Sequence, residues 1–312
     1  MPTQPVTGGR AIRQSRIVAR LRLATGLILF VYLLTHLLNH ALGLVSLQAM
    51  EQGREVFLLL WRNPVGTFLL YGSILVHFFL ALYSVYRRRS LRMPAWEALQ
   101  LVFGLLIPPL LMGHVIGTRA AHAIAGTEDS YALVLYILWV VKPVYALRQT
   151  AVLLIAWVHG CMGLHFWLRF RAGYSRWLPL LYTIALLVPV FGLLGFVQAG
   201  RTVIGLARDP AWIDRLKAAA GPPEGETANI LGAAVDGLLA LYFATLAGAL
   251  LIPALRSAIN NRTGVVVTYN RGRRVTVQQG TTILEASRIA GIPHAAVCGG
   301  RGRCSTLALI HI

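Results

Sequence analysis

The sequence predicts an all-α polytopic membrane helix bundle of six spans, followed by a small α+β segment. Three observations carry this. Only 13% of the 312 residues are charged and 56% are hydrophobic, against about 25% charged in a soluble domain. Six apolar runs each reach the roughly 20 residues that a helix needs to cross the hydrocarbon core. After the sixth, the pattern changes to a strand, a turn, a second strand and a short helix.

The spans are expected at 22–46, 65–86, 97–118, 149–170, 178–199 and 229–255. Residues 1–21 are expected to form a basic cytoplasmic N-terminal segment without the small-residue cleavage site of a secretory signal, 22–256 the membrane domain and 257–312 the terminal segment. Residues 131–145, "YALVLYILWVVKPVY", are apolar but short. They suit an interfacial or re-entrant piece, or a seventh span.

Net charge is +18, yet the arginines cluster beside apolar runs, which points to membrane anchors and away from nucleic acid. Arg10, Arg13, Arg16 and Arg20 precede span one, and Arg87, Arg88, Arg89 and Arg92 follow span two. Arg169, Arg171 and Arg176 separate spans four and five, while Arg256 and Arg262 follow span six. The alternate loops mix Arg with Glu51, Glu55, Glu128, Asp129, Asp209, Asp214, Glu224 and Glu226. Every second loop is therefore basic, and both termini are expected in the cytoplasm.

Seven histidines fall in the first four spans or at their edges: His36, His40, His77, His114, His122, His159 and His165. Ionisable side chains at membrane depth are costly and usually functional. At about 1.5 Å of rise per residue, His36 and His114 lie roughly 21 and 25 Å above the cytoplasmic ends of their spans, and His77 and His159 roughly 14 and 17 Å. They sort into an outer and an inner level pair. Two haems, each held by two imidazoles from different helices, need this arrangement; a proton relay or structural hydrogen bonds are the competing readings. His40, one turn from His36, suits a haem propionate or an alternative ligand. His165 with Arg169 or Arg171, and Arg119 on the outer side, suit propionates or plain interfacial roles. His122 is expected in a loop, and Cys161 as a small buried residue.

The phrases "THLLNHALG" (35–43), "LVHFFLALYSVYRRR" (75–89), "LMGHVIGTR" (111–119) and "VHGCMGLHFWLRF" (158–170) resemble the cytochrome b anchor of succinate dehydrogenase and fumarate reductase. The resemblance covers about residues 15–200. It implies two b haems, with His36 and His114 ligating the outer one and His77 and His159 the inner. It also admits a quinone as partner.

In the terminal segment, Val265–Tyr269 and Arg274–Gln278 read as a β-hairpin turning at Asn270-Arg271-Gly272. A helix over 283–290, capped by Thr281 or Thr282 with Glu285 in its first turn, follows. The order of elements and "CGGRGRCST" resemble the start of a [2Fe–2S] ferredoxin domain of β-grasp type. That resemblance implies cluster ligation by Cys298 and Cys304. Its third cysteine is replaced by Leu307, and a fourth is missing, whereas such a cluster takes four thiolates. The ferredoxin segment is thus expected to be partial and the cluster doubtful in this chain. His294 and His311 fit no replacement pattern.

A cytochrome b anchor, a sixth span and a fused ferredoxin start together resemble the membrane region of bacterial class III adenylate cyclases. This implies a multi-pass protein of the bacterial inner membrane whose redox state regulates cyclic AMP synthesis by a downstream cyclase domain, in a homodimer. Residues 257–312 carry no phosphate-binding loop of the P-loop type, so no cyclase activity is expected of this chain alone. The competing function is a quinone-reactive anchor subunit of a respiratory complex.

Overall fold

The computed structural model describes residues 8–87, 93–259, 264–269, 272–278 and 281–293. Its helices are α1 (Gly8–Ala41), α2 (Leu47–Trp61), α3 (Pro64–Tyr86), α4 (Ala95–Val115), α5 (Ala121–Ala125), α6 (Tyr131–Tyr136), α7 (Val144–Leu168), α8 (Tyr174–Leu206), α9 (Pro210–Ala220) and α10 (Gly225–Ile259). Strands β1 (Gly264–Thr268) and β2 (Arg274–Gln278) and helix α11 (Ile283–Ile289) follow. Among the described residues, six stretches are long and apolar enough to span a bilayer: Ile17–Leu44, Pro64–Tyr86, Ala95–Ala125, Val144–Leu168, Tyr174–Leu206 and Gly225–Ile252. A multi-pass helical membrane protein follows, with lipid as the solvent of its exposed leucines and phenylalanines.

The helices run past several expected ends. α8 extends to Leu206, where the apolar run alone suggested 199, because backbone hydrogen bonding continues through "GRTVIGL" without a breaker. Residues 131–141 are a short apolar helix, too short to span. It ends in a π turn over Ile137–Val141 and is a core piece: Leu135 and Leu138 pack with Met50, Phe196 and Val203. His122 lies in α5 and not in a loop, its Nδ1 2.9 Å from the Thr127 carbonyl. α2 and α9 occupy what the charge pattern suggested were loops.

The chain divides into two compact units, residues 1–81 with 100–243, and residues 82–99 with 244–312. In the first, α1 packs along α8, with α2, α6 and α7 around them. The helices come close because a Cβ on Gly195 would collide with the His40 carbonyl, and one on Gly43 with that of Gly195; small residues let helix backbones approach in lipid.

Proline supplies a second packing device. Pro189 in α8 has no N–H to give the carbonyl four residues back, at Ala185. Trp157 of α7 donates its indole N–H to that carbonyl at 2.7 Å. Pro109 in α4 frees the Leu105 carbonyl in the same way, and the Tyr242 hydroxyl of α10 donates to it. These two freed acceptors are met from a neighbouring helix, as lipid favours.

In the second unit, β1 and β2 pair antiparallel, Val266 opposite Thr276. Thr282 and Glu285 form a reciprocal capping box at the start of α11, and Gly291 follows the helix with φ of 64°, the left-handed conformation that ends helices. Arg288 lies 3.7 Å from Glu97. Asn270, Arg271, Cys298, Cys304, Leu307, His294 and His311 lie outside the described residues, as do Arg88, Arg89, Arg92 and Arg262.

Candidate functional site

The helices bring together the pairs selected by depth. The ring centres of His36 on α1 and His114 on α4 are 6.3 Å apart, and their planes are 57° apart. Those of His77 on α3 and His159 on α7 are 6.4 Å apart at 86°. A ligand nitrogen sits about 2 Å from a transition metal and roughly 1.1 Å from its own ring centre, so two imidazoles on opposite sides of one metal have centres about 6.2 Å apart. Both pairs have that separation.

Hydrogen bonds fix the protons of the second pair. His159 Nδ1 lies 2.9 Å from the Gln100 carbonyl oxygen, which can only accept, so Nδ1 carries the proton. His77 Nδ1 lies 3.1 Å from Thr25 Oγ1. The Thr25 hydroxyl is itself committed to the carbonyls of Leu21, at 2.8 Å, and Arg22, at 3.2 Å, so it accepts from His77. Each ring therefore keeps its Nε2 lone pair. Two lone-pair nitrogens suit a shared Lewis acid; a direct hydrogen bond would need an added proton. Helix backbone stays close to both rings, since a Cβ on Gly26 would come within 3.2 Å of His77 Cε1 and one on Gly104 within 2.8 Å of His159 Cε1.

The first pair opens on a small cavity of about 110 Å³, below the range of about 300–1,000 Å³ typical of small-molecule and cofactor sites. Tyr32, Phe57, Trp61, Tyr71, Tyr131 and Phe196 supply aromatic walls, and Arg54, Arg62, Arg119 and Asp129 line it with charge. A π turn over Ile116–Ala120 directly follows α4. With more than four residues per turn it carries Arg119, five residues past His114, onto the same wall. Arg119 and Tyr71 line the cavity together.

α2 forms the rim. Asn39 donates to the Met50 carbonyl at 3.3 Å and to the Tyr131 hydroxyl at 2.7 Å. Arg54 pairs with Glu51 and Glu128 and lies 3.4 Å from Asp129, which also pairs with Arg62. Burial alone would lower the Arg54 pKa, but the Glu51 and Glu128 carboxylates outweigh it and raise the value.

The remaining candidates separate. His40 lies 4.5 Å from His36, ring centre to ring centre, but stacks on Phe196 and meets Tyr131 edge-on. Its Nδ1 and that of His36 are buried without a hydrogen-bond partner; an acceptor such as a carboxylate would satisfy either. His165 Nδ1 lies 2.7 Å from the Tyr174 hydroxyl, and Arg169 and Arg171 lie over Phe170 and Trp167. None of these three lines the cavity. Cys161 is a free, half-buried thiol of α7.

Arg54, Arg62, Asp129 and Arg148 escaped sequence reasoning, which used loop charges only for orientation. Arg148 stands beside His114's neighbour Gly113, where an added Cβ would come within 2.7 Å of its Nη2. Its signal was present: an arginine directly at the start of an apolar span.

Among the described residues no three His, Cys, Asp or Glu side chains converge as a metal-binding group. A metal at either pair thus needs most of its donors from outside the protein, and a porphyrin leaves two axial positions for imidazoles. Spacing fits that group at both pairs, proton placement at His77–His159, and the lining side chains at His36–His114. Comparison with protein-family models, with curated proteins and with solved structures finds no match.

Proposed function

We propose that the chain is a membrane-embedded electron-transfer or redox-sensor module carrying two b-type haems. The observation that carries this reading is the pair of imidazole–imidazole separations, 6.3 and 6.4 Å, in two places on four different helices. Bound there, haem supplies one-electron oxidation and reduction. His36 and His114 would hold one group, with Arg54, Arg62 and Arg119 near its carboxylates; His77 and His159 would hold the other. Thr25 and the Gln100 carbonyl keep the ligand tautomers, and the aromatic walls exclude water.

The orientation with both termini in the cytoplasm rests on the arginine distribution. The coupling to a downstream cyclase domain, the [2Fe–2S] cluster at Cys298 and Cys304, and a dimer rest on the resemblance of "HGCMGLHFWLR" and "VCGGRGRCST" to the adenylate cyclase membrane region. A sixth span and a fused hairpin and helix favour that reading over a quinone-reactive respiratory anchor.

A reduced-minus-oxidised optical spectrum of the purified protein, with haem quantified per chain, tests the proposal. Two haems are expected, falling to one in both His77→Ala and His159→Ala. A protein made with ample haem that carries none would sink the reading and leave the histidines as packing groups.

A further inference from the structure

The two histidine pairs are built differently. In one, His77 donates from Nδ1 to Thr25 Oγ1 at 3.1 Å, and His159 donates from Nδ1 to the Gln100 carbonyl at 2.9 Å. In the other, the buried His36 Nδ1 meets no protein acceptor and no hydrogen bond to either ring nitrogen of His114 occurs, among the described residues. An acceptor on the outer N–H makes an imidazole a more basic, more electron-donating ligand. More donation favours the oxidised metal and lowers the reduction potential.

Local charge acts in the same direction. The cavity beside His36 and His114 is lined by Arg54, Arg62 and Arg119 against the single carboxylate of Asp129. Glu51 and Glu128 hold Arg54 from outside that lining, and Arg148 adds a further cation next to Gly113. Among the described residues, Arg22 is the formal charge that acts on His77; its guanidinium reaches the Leu80 carbonyl at 3.5 Å. Excess positive charge favours the reduced state of the first site.

We infer that the His77–His159 site is the lower-potential site and the His36–His114 site the higher, with the Thr25 hydroxyl a positioning residue that sets part of the difference. The inference rests on the two-haem reading. On the orientation implied by the arginines, electrons then run downhill from the cytoplasmic half of the membrane toward the outer half. The molecule is biased to accept electrons from the cytoplasm.

The test is an optical redox titration of the full-length protein in detergent, wild type beside Thr25→Val and Thr25→Ser. Thr25→Val removes the acceptor at nearly constant volume; Thr25→Ser keeps it. Two one-electron waves are expected. Thr25→Val should move the lower wave upward and leave the upper one in place, and Thr25→Ser should restore the wild-type position. Loss of the lower wave alone, with one haem retained, would assign Thr25 to the low-potential site equally well. A shift or loss of the upper wave overturns the inference, as does a titration in which Thr25→Val moves neither. A wild-type protein without haem would instead overturn the underlying two-haem reading, so the two failures are distinguishable.

Discussion

His36 and His40 stand one helical turn apart on one face of α1, and both are buried at the cavity. Spacing alone could not choose between them. On the two-haem reading the geometry favours His36: its ring lies 6.3 Å from that of His114, while His40 stacks on Phe196 and meets Tyr131 edge-on. His36→Ala should therefore take the haem content from two per chain to one. His40→Ala should leave it at two. Pyridine haemochrome quantification of both variants decides, and the opposite pattern would make His40 the ligand and His36 its neighbour. Residue-level legibility was high for the four paired histidines because a titratable group in an apolar run stands out against its context. It was low for Arg54, Arg62 and Asp129, whose sequence neighbourhoods look like ordinary loop edges.

Among the elements, the spans were readable from composition, since lipid demands long uninterrupted apolar helices. α2 and α9 were not, because neither reaches a membrane's thickness and both mix charge with apolar residues. α2 did carry a helical signal in Leu47, Met50, Phe57, Leu58 and Trp61, with Ser46 accepting from the Ala49 amide as an N-cap. Intrahelical prolines were visible as residues but not as docking points, because the partner donor comes from another helix. A double-mutant cycle on Trp157 and Pro189 tests that role. Trp157→Phe leaves the Ala185 carbonyl without a donor and should cost about 1–3 kcal/mol. With Pro189→Ala the restored backbone N–H can take that carbonyl, and the cost of Trp157→Phe should fall by about 1 kcal/mol. Reversible unfolding in mixed detergent measures both, and equal costs in the two backgrounds would show that the indole bond does not compensate for the proline.

At the scale of the molecule, six spans were legible, while the sides of the membrane remain an expectation drawn from charge. The structure adds a consistent geometry. The loop at 126–130 and α9 belong to one polar layer, tied by the Thr127 hydroxyl to the Gly221 carbonyl at 3.0 Å and by the Glu128 amide to the Ala220 carbonyl at 2.8 Å. On the arginine count that layer is expected outside the cell and the Arg169–Arg176 turn inside. Ala218 in α9 and Ser175 at the start of α8 are both exposed. In a background with Cys161, Cys298 and Cys304 replaced by serine, Ala218→Cys should react with a membrane-impermeant maleimide added to intact cells whose outer barrier is permeable to it. Ser175→Cys should react only after the inner membrane is opened. The reverse labelling would place both termini outside, and with them the low-potential histidine pair. The bias toward accepting electrons from the cytoplasm would then invert with the molecule, although the order of the two potentials would stand.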